Sequence, residues 1–300
     1  MTPPSPPSTG PGTLTVVATP LGDPGDLSPR AAAALREADL IVAEDTRSAR
    51  RLLVEVAGGG RAPIVSCYDA NEAARAAEVA ARLADGARVA LISEAGTPLV
   101  SDPGYRVVAA AIAAGARVVP VPGPSAVLAA LVGAGLPTDR FAFLGFPPRK
   151  PGPRRRSFES VRALPLTLVF YESPLRAAAT LADLAAVLGA ERAACVAREL
   201  TKPHEEFVRA TLGALAARYA EARPLGEVTL VVAGADGAPA AEDELAGDDA
   251  IVAEARALLA DGRSARDAAD ELAARTGRPR REIYPLVTRA GRPAGDPDQD

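Results

Sequence analysis

The sequence is poor in the side chains that do most enzyme chemistry. It has two cysteines, Cys67 and Cys195, one histidine, His204, one methionine and no tryptophan, and aromatic residues make up 4% of it. Two thiols in apolar, strand-like runs cannot form a disulfide framework, so free buried cysteines and a reducing, cytoplasmic setting are expected. With a single imidazole there is no Cys/His/carboxylate cluster at zinc-ligand spacing, so no metal is expected, and Ser-His-Asp hydrolysis lacks its parts. Apolar runs such as Leu14 to Ala18 and Val89 to Ile92 are strand-sized. They fall far short of the roughly 20 residues of a membrane-spanning helix, and no membrane is expected as a partner. Residues 1–12 have neither the basic start nor the apolar centre of a secretory leader and read as a disordered tail. Nucleotide signatures are missing too: Gly58-Gly59-Gly60 has no lysine after it and reads as a helix end, not a phosphate loop.

What is present describes a globular protein. Hydrophobic residues make up 48% and charged residues 24% of 300 residues, enough for two cored domains. From Leu14, short β-branched runs alternate with longer helical stretches, the first opened by Ser28-Pro29 and the second by Thr46, which predicts an α/β domain with a largely parallel sheet over residues 13–135. Near GLPTDR the pattern restarts, and a second α/β domain is expected over 136–235 with strands at FAFLGF, LTLVFY, AACVAREL and EVTLVVAG. Residues 236–249 are acidic and read as a linker. Residues 250–300 hold three short helical segments with glycine stops and a Ser264 cap, a small helical C-terminal domain.

The net charge of −4 hides a local excess of the other sign. Between Pro147 and Arg162 lie Arg149, Lys150, Arg154, Arg155, Arg156 and Arg162 against the single acid Glu159, a local balance of +5. Proline and glycine make this stretch read as a mobile loop. It is either a solvated surface or a phosphate-binding strip, and the phosphate reading is favoured.

In parallel α/β sheets ligands gather at the carboxyl ends of strands. Four Gly/Pro-rich loops leave strands here: Ala18 to Gly22, Ser93 to Pro98, Pro122 to Ser125 and Tyr171 to Pro174. With no metal cluster, phosphate loop or triad, chemistry that needs positioning more than side-chain reactivity remains. Methyl transfer from a sulfonium fits, because its leaving group is already activated.

The blocks VATPLGDPGDLSPRA, ADLIVAEDTRSARRLL, SEAGTPLVSDPGYRVV, VVPVPGPSAVLAAL, GLPTDRFAFLGFPPRK, FYESPLRAAATLADL and ARELTK follow one another between Leu14 and Ala233. In content and order they resemble the ribosomal RNA small subunit methyltransferase I family, a branch of the tetrapyrrole methylase class. Glu94 stands where the family pattern has Asp, and Leu175 where it has His. The resemblance implies S-adenosyl-L-methionine held in a cleft between two α/β domains, a homodimer, and methylation of the 2′-hydroxyl of a decoding-centre cytidine in 16S ribosomal RNA, either naked or in the assembled small subunit. Alternatives are a small-molecule tetrapyrrole or precorrin methyltransferase and a nonenzymatic RNA-binding assembly factor.

On this resemblance the cofactor residues are Pro20, Ser93, Glu94, Ala95, Gly96, Thr97, Pro122, Gly123, Pro124 and Ser125, with Tyr171, Glu199 and Leu200 in the same cleft or in ordinary core packing. RNA contacts are assigned to Arg47, Arg149, Lys150, Arg154, Arg155 and Arg156. Arg47 follows Glu44-Asp45-Thr46, where Thr46 is expected to cap a helix. Lys202 is the candidate base, on the argument that burial or a nearby cation lowers its pKa, with a fixed charge on an RNA phosphate as the alternative. His204, between Pro203 and Glu205-Glu206, reads as solvated.

Overall fold

A computed structural model describes residues 10–55, 58–235, 248–276 and 278–291. Most of the N-terminal tail and all but the last two residues of the acidic linker fall outside these ranges.

Two five-stranded sheets build the larger compact unit, residues 1–162 and 166–234. The first has the order β3-β2-β4-β1-β5, from strands β1 (Thr13–Val17), β2 (Leu40–Ala43), β3 (Ile64–Ser66), β4 (Arg88–Ile92) and β5 (Arg117–Val121), all parallel. Helices α1 (Pro29–Glu37), α2 (Thr46–Glu55), α3 (Glu72–Ala84) and α4 (Tyr105–Ala113) form its crossovers. Side chains alternate across a strand, and here they divide between two cores. Val17, Ile41, Ala90 and Ile92 pack with Leu35 and Leu53 on one face, while Leu14, Leu40, Val42, Val89 and Leu91 pack with Val79, Leu83 and Val107 on the other. With both faces covered, all four residues of β2 are buried, as a parallel sheet requires. Truncating a fully buried leucine such as Leu35 or Leu91 to alanine would cost about 2–5 kcal/mol. Local chemistry sets the helix ends: the Ser28 hydroxyl accepts from the Ala31 N–H at 3.1 Å, with Pro29 in the first turn.

The second sheet has the order β6-β7-β10-β8-β9, from β6 (Phe141–Phe143), β7 (Thr167–Glu172), β8 (Ala193–Arg198), β9 (Glu206–Thr211) and β10 (Val228–Val232). Only β6 and β7 run parallel; the other three pairings are antiparallel. Helix α5 (Ala126–Ala134) follows β5 in the chain but packs on this sheet, burying Val127, Ala130, Leu131 and Ala134 against Val169, Cys195, Ala197 and Val231. Helices α6 (Pro151–Glu159), α7 (Ala177–Leu188) and α8 (Leu212–Glu221) complete the unit. Both cysteines are free and buried, and burial pushes each thiol up to about 11.

Three expectations need correction. The middle of the basic stretch, from Pro151 to Glu159, is helix α6 and not a mobile loop: Pro151 and Pro153 fall in its first turn, where the missing N–H costs nothing, and Arg149 and Lys150 precede it. The second domain has a strand beyond the four expected, β9: Glu206 opens it and pairs with Arg198 at 2.6 Å and with Arg218 at 3.3 Å. Asp45, not Thr46, caps α2, its Oδ1 accepting from the N–H of Arg47 at 2.6 Å and of Ser48 at 3.1 Å.

The second compact unit, residues 163–165 and 235–300, holds helices Asp248–Ala260, Ala265–Thr276 and Arg280–Ala290. They share a core of Ile251, Ala255, Ala268, Leu272, Ile283 and Val287. The Ser264 hydroxyl accepts from the Asp267 N–H at 3.1 Å, so the expected cap is in place.

Candidate active site

Three loops that leave the first sheet at its carboxyl edge are joined by hydrogen bonds. The Thr19 N–H donates to Gly96 O at 2.9 Å and the Gly96 N–H to Thr19 O at 3.0 Å. Gly96 has φ +79°, and a Cβ there would lie 3.1 Å from Leu21 Cδ2, so only glycine fits the junction without strain. The Thr97 hydroxyl donates to Pro124 O at 2.9 Å, tying in the loop after β5. Further along, Leu99 and Ser101 take left-handed backbone at φ 72° and 69°. Such conformations cost of order 1–3 kcal/mol each and persist where the surroundings enforce them, often at functional sites.

A matching loop from the second sheet meets these. Glu199 and Thr201 are also left-handed, at φ 50° and 62°. Lys202 Nζ donates to Glu199 Oε1 at 3.0 Å and to Glu227 Oε2 at 2.9 Å. Gly226, at φ +77°, backs this arrangement: a Cβ on it would fall 2.1 Å from the Glu199 carboxylate. The Asp23 N–H donates to Thr201 Oγ1 at 3.1 Å and links the two sets of loops.

Between them lies a cavity of about 370 Å³. Its wall includes Pro20, Leu21 and Gly22 after β1, Ser48 and Arg51 of α2, Ser93, Glu94 and Ala95 after β4, and Lys202 and Glu227 from the second sheet. The size suits a small-molecule site. The wall carries both signs of charge.

Comparison with known proteins identifies the scaffold. The family described as Tetrapyrrole (Corrin/Porphyrin) Methylases matches residues 13–216. The ribosomal RNA small subunit methyltransferase I of Mycobacterium tuberculosis is 46% identical over 96% of this chain and 99% of its own. That of Synechocystis is 44% identical over 92% and 97%. The chain belongs to the ribosomal RNA small subunit methyltransferase I family. Among solved structures, uroporphyrin-III-C-methyltransferase from Thermus thermophilus covers 73% of the chain and 94% of its own, at TM-score 0.52 and 22% identity. Diphthine synthase covers 74% and 90%, at TM-score 0.55 and 20% identity. These likenesses are of fold.

In this family member the cavity gathers Pro20, Ser93, Glu94, Ala95 and Lys202. Gly96 and Thr97 sit behind the wall as structural ties. Pro122 to Ser125 form the neighbouring loop, with Ser125 opening α5 without a side-chain cap bond. Leu200 is 7% exposed and packs with Val127, Leu131 and Ala197, the core placement among its two expected alternatives. Tyr171 packs on the same core, and its ring meets Phe143 edge-on at 4.8 Å between centroids.

Lys202 is paired with two carboxylates, which argues against its assignment as the base. Burial alone would lower its pKa, but the hydrogen bonds it donates to Glu227 and Glu199 outweigh it and hold the ammonium above its usual range. The expected lowering is therefore corrected to a raising. His204 is exposed in the β8–β9 turn. Arg154 is corrected from a phosphate contact to a structural ion pair. Its side chain is 6% exposed, and Nε and Nη2 both donate to Asp183 Oδ2, the former at 2.8 Å. Arg155 Nε donates to Asp183 Oδ1 at 2.6 Å but stays exposed, as do Arg47, Arg149, Lys150 and Arg156.

The sequence reading missed Asp102. Burial, then the charges of Glu94 and Glu227, push its carboxyl above the usual range, while the Ser93 hydroxyl pulls the other way. Glu44 is also raised, by burial first and then by Asp102 and Glu94. Asp102 lies inside the block SEAGTPLVSDPGYRVV, but its fold back toward Ser93 depends on left-handed Leu99 and Ser101, which no residue type there announces.

Proposed function

We propose that this protein transfers a methyl group from S-adenosylmethionine to the 2′-hydroxyl of a cytidine ribose in 16S ribosomal RNA. The reading rests on the mixed-charge cavity at the carboxyl edge of the parallel sheet, in a chain whose relatives carry a ribosomal RNA methyltransferase name along nearly their whole length. When bound, the cofactor supplies a methyl on an activated sulfonium. The residues present fit it: Glu94 and Glu227 suit the sulfonium and ammonium, Arg51 suits the carboxylate, and Ser93 and Ala95 leave room for close approach. Lys202, neutralised by Glu199 and Glu227, braces the wall. We assign acceptance of the ribose proton to Asp102, which neighbours the wall residue Ser93 and whose carboxyl is raised by burial and by Glu94 and Glu227.

The RNA is taken to lie along exposed Arg47, Arg149, Lys150, Arg155 and Arg156. A homodimer in the cytoplasm completes the proposal, and exposed Ile112 on α4 and Leu128 and Val132 on α5 support the pairing. The deciding experiment incubates the enzyme with labelled S-adenosylmethionine and either naked 16S RNA or small subunits from cells lacking the enzyme. Nucleoside mapping should find one 2′-O-methylcytidine; label on a base, or on no RNA, rejects the reading.

Two substitutions probe the parts separately. Ala95→Arg drives a long charged side chain into the cavity and should weaken S-adenosylmethionine binding at least about tenfold by calorimetry, with thermal unfolding unchanged. Replacing Arg149, Lys150 and Arg156 together with alanine should leave cofactor affinity intact and weaken RNA binding. The log-log salt slope should fall by roughly 0.7–0.9 for each phosphate that is no longer neutralised. An unaltered slope would make this strip a solvated surface.

A further inference from the structure

We propose that Phe146 is a stacking platform for an unpaired nucleobase of the RNA substrate, a binding subsite beside the phosphate strip. This rests on the ribosomal RNA reading above. Of the 6 phenylalanines, Phe141 and Phe146 are exposed, and Phe146, on an ordered turn, is the more open of the two. Phe146 is 55% exposed, immediately after Gly145 at φ +62° and shortly before exposed Arg149 and Lys150. Its ring leans on Tyr171, with centroids 5.6 Å apart and planes 58° apart, and Tyr171 is in turn held by Phe143. One side of the Phe146 ring is therefore backed by protein, and much of the rest is open.

The turn that carries it is clamped from beneath. Arg176 Nη2 donates to Pro147 O at 2.6 Å and to Pro148 O at 3.3 Å while pairing with buried Glu172 Oε2 at 3.1 Å. Arg154 Nη1 reaches Arg149 O at 3.4 Å. On its cleft side the turn abuts the loop of Asp102, since a Cβ on Gly145 would lie 3.3 Å from Ser101 Oγ. An aromatic face fixed in this way loses little entropy on binding. Cations follow it within a few residues, the combination that single-stranded RNA meets in stacking sites, where bases lie on rings and phosphates on arginines. A purely apolar partner would not call for Arg149 and Lys150 at the edge.

The test uses the absence of tryptophan. Phe146→Ala and Phe146→Leu should raise the KM for small subunits roughly 5- to 150-fold, the range of one missing base–aromatic stack, with S-adenosylmethionine affinity and thermal unfolding unchanged. Phe146→Trp should restore the low KM and supply the sole tryptophan, excited selectively at the red edge of tyrosine absorption. Its emission should be quenched by a single-stranded RNA oligonucleotide and much less by the same oligonucleotide made abasic. If Phe146→Leu matches the wild type, or abasic RNA quenches equally, stacking is overturned. Failure of the wild-type enzyme to methylate subunits would sink the substrate reading instead, while the oligonucleotide quenching still decides the platform.

Discussion

Asp183→Ala is expected to lower the stability of the larger unit by about 3–5 kcal/mol, read as a shift in its denaturant midpoint by circular dichroism. Asp183 and Arg154 are 5% and 6% exposed, so removing the carboxylate strands a guanidinium in a site that water does not reach. Arg155 has the exposure to turn to solvent; Arg154 does not. Arg154→Met alone should also destabilise, because Asp183 then keeps only one partner. The pair Arg154→Met with Asp183→Leu should recover much of the loss, since matched apolar groups often replace a buried ion pair at little cost. The pH dependence has a definite sign. Burial alone would raise the Asp183 carboxyl, but hydrogen bonds from Arg155 and Arg154 outweigh it and hold it below the usual range. Its contribution is therefore present above the unfolded carboxylate value of about 3.9 and is lost as pH falls through the lower folded value. The single Asp183 variants should show a weaker acid transition in that window. A variant as stable as the wild type would mean that helix α6 is held by Phe158 packing alone.

The same pair shows where sequence reading stops. Strand and helix alternation made both sheets visible, because a β-branched run covered on both faces stands out by composition, as in LIVA. Three of the four Gly/Pro loops leave the first sheet at its carboxyl edge, while Tyr171 to Pro174 follows β7 of the second. Charge runs are less informative. Arg154, Arg155 and Arg156 are one residue type in sequence, yet Arg154 turns inward because Asp183, 29 positions away, waits on α7. Strand β9 was hidden because its two edge charges, Glu206 and Arg209, have their partners on other elements: Arg198 and Arg218 for the first, the backbone carbonyl of Ala134 for the second. Lys202 lines the cavity, but its pKa depends on Glu227, 25 residues on, which carries no signal of its own. Titration behaviour is set by three-dimensional neighbours, and sequence gives only the residue types.

Asp102→Asn is expected to reduce single-turnover methylation of small subunits by roughly 10²–10⁴-fold, the usual share of a general base. Subunit affinity and S-adenosylmethionine affinity should change little, because asparagine keeps the size and hydrogen-bonding capacity beside Ser93. A ribose hydroxyl is a weak nucleophile at neutral pH, so a nearby acceptor matters most as the methyl moves. Asp102 works only when deprotonated, and burial with the charges of Glu94 and Glu227 raises its pKa. The wild-type rate should therefore fall as pH drops through a midpoint above the ordinary carboxylate value of about 3.9, and Asp102→Asn should erase that acid limb. Lys202→Met is the informative comparison. Lys202 lines the cavity and is held protonated by Glu199 and Glu227, so its loss should weaken cofactor binding but leave the acid limb where it was. If the limb instead disappears with Lys202→Met and survives in Asp102→Asn, the proton goes to the lysine. If both variants keep wild-type rates at saturating cofactor, alignment of the hydroxyl with the methyl carries the catalysis and solvent takes the proton.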